Sequence, residues 1–240
     1  MQTGYLILAL LNGTLGFMLW YALSSSLGLP KSFQIQYDIN VSYFRRILRR
    51  RFAGFIIYGV LPLLLILKWN VLGEVDFPEL GVSFEWNRKV IMWLAALLPI
   101  TLIINLLSAR SRETLVNYPE IRVTIWTPRL LFMSAFWWLM YLVAMEFLYR
   151  GLILQSLYMN TGSMWWTIII SACLYAMIHY FKDNRISVMS LPYGLIMAYA
   201  TLDSGSLLPT IFVHVIGGLL TEWLAIRRHP EIKVQSKLYH

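Results

Sequence analysis

The chain has 240 residues, 58% hydrophobic and only 13% charged, with a formal net charge of +8 and a mean hydropathy of +0.61. Soluble domains run at about half apolar and about a quarter charged, so this composition excludes a water-soluble globular protein. The basic residues stand in short connections beside apolar runs, where lipid headgroups and topology account for them, and nucleic acid is excluded as a partner.

Seven apolar segments follow one another at about 4–28, 52–69, 90–108, 129–158, 164–181, 186–202 and 206–226. Each is near the ~20 residues a spanning helix needs. The runs are continuous and lack the alternation of a transmembrane barrel, so the expected fold is all-α, a polytopic membrane bundle of about seven helices. The first segment has no basic region before it and reads as an uncleaved helix. Pro62, Pro99, Pro192 and Pro209 fall within or at the start of spans, where a kink is tolerated. The single cysteine, Cys173, allows no internal disulfide and reads as a packing residue.

Lysines and arginines alternate in density along the connections. Those after the first, third, fifth and seventh spans hold 16 of the 20, those after the second, fourth and sixth hold 3, and Arg150 lies inside a span. The positive-inside rule then puts the N-terminus outside and the C-terminus in the cytoplasm. The Arg45–Arg51 run reads as an amphipathic segment on anionic lipid. Glu222 is expected near Arg227 and Arg228, and Asp203 as the cap of the turn before the last span.

The fourth span contains the most informative pair. Glu146 and Arg150 are spaced i and i+4, so both project from one helix face. Ionised groups are expensive in hydrocarbon and, where kept, face protein or a water-filled cavity. Two later spans each carry one histidine, His179 with Tyr175 one turn earlier, and His214 beside Gly217 and Gly218. Taken singly, Glu146–Arg150 reads as a structural ion pair and each histidine as a donor between helices. Taken jointly, the four supply a carboxylate that can take a proton from water, a cation that holds it, and two imidazoles for the water and the oxyanion. Water has to reach Glu146, so a funnel open to the cytoplasm is expected. Lys182, Asp183 and Arg185, just after His179, form a turn that could rim it.

Glu146-x-x-x-Arg150-Gly151, then Tyr175-x-x-x-His179, then His214 after SLLPTIFV resembles the CPBP intramembrane proteases, the prokaryotic relatives of the CAAX-processing endopeptidases. The resemblance covers residues 118–226. It implies a catalytic core there, after N-terminal helices over 1–117 and before a basic cytoplasmic tail over 227–240. It implies a peptide or membrane-protein substrate, the bilayer of a prokaryotic cell membrane as location, and Glu146, Arg150, His179 and His214 as site residues. Met145 stands where the family's first glutamate would be, and Gly218 where its asparagine would be. Either Glu146 carries the chemistry alone or the chain is a silent binding relative. Family members are described both as glutamate-dependent and as metal-dependent. The favoured form needs no cofactor; in the alternative, Glu146, His179 and His214 would hold a zinc.

Overall fold

The computed structural model describes residues 2–25, 41–73, 82–179 and 184–235. Eight helices are present among the described residues. Helix α1 is Gln2–Ser25. Helix α2 runs over residues 41–73 with a π-helical turn, Ile56–Val60, in its middle. Helices α3 and α4 are Arg88–Ser108 and Arg112–Asn117. The long helix α5, Pro128–Thr161, has 34 residues and is interrupted by a π-helical stretch, Phe147–Ile153. Helices α6, α7 and α8 are Met164–His179, Asn184–Ser204 and Leu208–Arg228. Two short strands, β1 (Ile125–Trp126) and β2 (Lys233–Val234), pair in parallel.

Each of the seven expected spans is helical over most of its described residues. Among the described residues five helices are long and apolar enough to cross a membrane: α1, α2, α3, α5 and α8. Helix α6 is apolar but shorter, with 16 residues. Helix α7 has 21 residues, a length of about 31 Å at ~1.5 Å per residue, but it is diluted by serines, a proline and an aspartate. Exposed large side chains such as Leu107, Phe132, Trp165 and Met177 cover the outside, as a lipid-facing surface requires. Cys173 belongs to that surface: it is exposed, not packed, which corrects its sequence reading.

The central core joins the N-terminal helices to α5. Tyr5, Ala9 and Trp20 of α1 and Ile57, Tyr58 and Ile66 of α2 pack with Met145, Leu148, Tyr149 and Leu152 of α5. Helix α7 comes close to α6 because position 194 is glycine. A Cβ there would sit 3.2 Å from the Ala172 Cα.

The connections sort to two ends. At one end Arg51 of α2 meets Glu120 and Glu222, both at 3.1 Å, and His229 Nε2 donates to the Leu115 and Tyr118 carbonyls. The β1–β2 pair lies between the same connections, with Lys233 N donating to Thr124 O at 2.7 Å. At the other end Lys89 meets Asp203 at 2.9 Å, Asn87 Nδ2 donates to Ser204 O at 2.8 Å, and Leu207 N donates to Ser83 O at 2.9 Å. Connections that the charge count puts on one side of the bilayer thus touch one another.

Three expectations change here. The Arg45–Arg51 segment is not a surface strip ahead of the second span: it is the first half of α2, and its Ile47 and Arg51, one turn apart, are buried. Glu222 pairs with Arg51, not with the arginines of its own helix end. Asp203 does not cap the turn; it accepts from Lys89 Nζ and from Trp93 Nε1 at 3.0 Å. Those two bonds, the lysine's foremost, hold its carboxyl below the usual aspartate range. Lys182 and Asp183, the expected rim, lie outside the described residues.

Candidate active site

Thr127 starts α5 by accepting from Leu130 N at 3.2 Å, ahead of Pro128 in the first turn. Glu146 is the last residue before the helix widens into the π-helical stretch that carries Arg150. Such one-turn widenings are rare and recur at functional sites. Both side chains are completely buried, at 0% exposure. Arg150 Nε stands 3.8 Å from Glu146 Oε2, too long for a hydrogen bond but close enough for charge compensation.

His214 of α8 completes the pair. Its Nδ1 donates to Glu146 Oε1 at 2.5 Å, the distance of a charge-assisted contact. The contact anchors Nδ1 and leaves Nε2 on the side away from the carboxylate. Helix α8 can bring His214 so close because Gly218, one turn on, lets it lie against α5. A Cβ at Gly218 would meet Leu142 Cδ1 at 2.8 Å and Trp138 Nε1 at 2.9 Å. The glycine at the family's asparagine position is therefore a packing requirement of this chain.

His179 reaches the group through Tyr175. The Tyr175 ring lies 4.8 Å from the His179 ring and 6.3 Å from the His214 ring. The Arg150 guanidinium sits 4.5 Å over its face, a cation–π contact inside a dry site. His179 Nδ1 donates to the Tyr175 carbonyl at 2.9 Å, which orients its ring. The structure thus brings Glu146, Arg150 and His214 into direct contact and sets His179 one aromatic ring away. Met145, beside Glu146, is buried in the apolar core.

Burial falls from the inside outward. Glu146 and Arg150 are sealed, Tyr175 is 2% exposed, the His214 side chain is 18% exposed, and His179 is half-buried. Among the described residues no funnel reaches Glu146; the two imidazoles form the outer layer over a buried carboxylate.

As a zinc set, Glu146, His179 and His214 do not fit. Among the described residues no three His, Cys, Asp or Glu side chains are grouped to hold a metal ion: Glu146 and His214 are in contact, while the Tyr175 ring sets His179 apart from them.

Sequence reasoning overlooked one neighbour. Tyr193 of α7 places its ring 5.7 Å from His214 and 6.0 Å from Tyr175, and only its position beside Gly194 hinted at a close approach.

Residues 127–220 match the family model described as Rce1-like, type II CAAX prenyl endopeptidase Rce1-like. That stretch is similar to the CPBP/CAAX protease family. The matched region contains Glu146, Arg150, Tyr175, His179, Tyr193 and His214. No curated protein and no solved structure matches the chain.

Proposed function

We propose that the chain is an intramembrane endopeptidase in which Glu146 activates water. The observation that carries this reading is the buried Glu146–His214 hydrogen bond between α5 and α8, with Arg150 beside the same carboxylate. Glu146 takes a proton from water as the water oxygen adds to the scissile carbonyl, and then delivers it to the leaving amine. Arg150 compensates the carboxylate's charge. His214 orients it, and the two histidines stabilise the water and the developing oxyanion. The substrate is a peptide or membrane protein, and residues 118–226 form the catalytic core on which the helices of 1–117 are packed. The protein lies in a prokaryotic cell membrane with the Arg51–Glu222 end in the cytoplasm, as the distribution of basic residues supports.

A silent binding protein of the same fold is the second reading, favoured by Met145 in the apolar core and by the closure over Glu146. Glu146→Gln separates the two. Under the first reading, peptide release from cells carrying the variant falls by ~10²–10⁴-fold, measured by comparing membrane and released peptides with those of the native protein. An unchanged peptide profile with partner binding intact would decide for the second.

A further inference from the structure

We infer that Tyr193 is a further catalytic residue, whose phenolic O–H donates a hydrogen bond to the oxyanion that forms from the scissile carbonyl; this rests on the hydrolytic reading of Glu146. The hydroxyl is buried and has no hydrogen-bond partner among the described residues, although a buried phenol normally finds one. Its ring meets His214 edge-on at 5.7 Å and lies 6.0 Å from Tyr175. The hydroxyl is close enough to feel the charges of Glu146 and Arg150. Helix α7 is held there by the Gly194–Ala172 approach, so the ring position is set by backbone packing and not by the hydroxyl. An unpartnered donor on a rigid element is preorganised for a charge that appears only during reaction.

A further donor beside the histidines suits the chemistry. When the water oxygen bonds to the carbonyl carbon, the π electrons move to the carbonyl oxygen while the water proton goes to Glu146. The C–N bond then breaks and Glu146 returns that proton to nitrogen. Throughout, Tyr193 keeps its proton and only donates. His214 Nδ1 is taken by Glu146, and position 218 has no side chain and no space for one. The next side of the site belongs to α7, and Tyr193 is the residue that α7 turns toward His214.

The test compares native protein, Tyr193→Phe and Glu146→Gln. Peptides whose release in cells depends on Glu146 are identified first, and one is assayed on purified protein in lipid nanodiscs. Tyr193→Phe should lower kcat by ~10²-fold with KM little changed. Its thermal midpoint should not fall, because no hydrogen bond is lost with the hydroxyl. Tyr193→Phe turning over at the native rate, or losing activity only in step with a lowered midpoint, overturns the role of Tyr193 and leaves Glu146 standing. Peptide release that is indifferent to Glu146→Gln overturns the hydrolytic reading, and Tyr193 falls with it.

Discussion

At the scale of single residues, the centre depends on how closely α8 lies on α5. Gly218→Asn, which restores the residue type of the family motif, should damage this chain. The new side chain has to displace Leu142 or the Trp138 indole, both under 3 Å from where its Cβ would be. Overpacking of this kind costs ~1–3 kcal/mol, and the shift would draw His214 off Glu146. A lowered thermal midpoint in detergent, together with reduced peptide release, is the expected result. Glu146 and Arg150 were legible in the sequence because their spacing alone puts them on one helix face. His179 was legible as a candidate, although it stands at the end of its helix while Glu146 and His214 lie farther inside theirs. The structure bridges that depth with Tyr175, which reaches from the end of α6 to the His214 ring. Tyr193 was not legible, since nothing in its neighbourhood in the sequence says which way α7 turns.

At the scale of elements, the least expected feature is the cluster around Arg51. Its Nη1 donates to Ser134 O at 2.9 Å and to Ser134 Oγ at 2.8 Å. Its Nη2 meets Glu120 and Glu222, and its guanidinium lies 4.4 Å over the Trp138 ring. One side chain thereby ties α2, α5, α8 and the segment before α5 into a single end. Arg51→Met would remove the guanidinium that Glu120 and Glu222 both meet. Breaking a buried pair in this way costs ~3–5 kcal/mol, read as loss of thermal stability in detergent. Adding Glu120→Gln and Glu222→Gln should recover part of it, because the charges left behind are then removed. The sequence showed five arginines within Arg45–Arg51 but not which one turned inward. That choice is made by carboxylates 69 and 171 positions away, beyond what local periodicity can report. Ile47, one turn from Arg51 and also buried, was the only local sign of an inward face.

At the scale of the whole molecule, the arrangement of connections predicts sidedness. In a Cys173→Ser background, Glu85→Cys should react with a membrane-impermeant thiol reagent added to intact cells, and Arg228→Cys only after permeabilisation. Both positions are exposed at opposite ends of the bundle; the reverse pattern would turn the protein over. The helical bundle itself was legible because apolar runs of spanning length and uneven basic connections are one-dimensional signals. The two-end clustering, the π-helical turns and the closure over Glu146 arise from contacts between distant segments, which composition does not encode. The outer position of the imidazoles also restricts what can pass. His179 and His214 flank one tyrosine ring, so their centres are no farther apart than the two ring distances combined. An α-helix with its side chains is ~10–12 Å across, and ring thickness takes up part of that gap. Rings held that close admit no intact helix between them, so any chain that reaches the carboxylate by this route must first unwind locally, and helix-weakening residues beside the cut site would ease its entry.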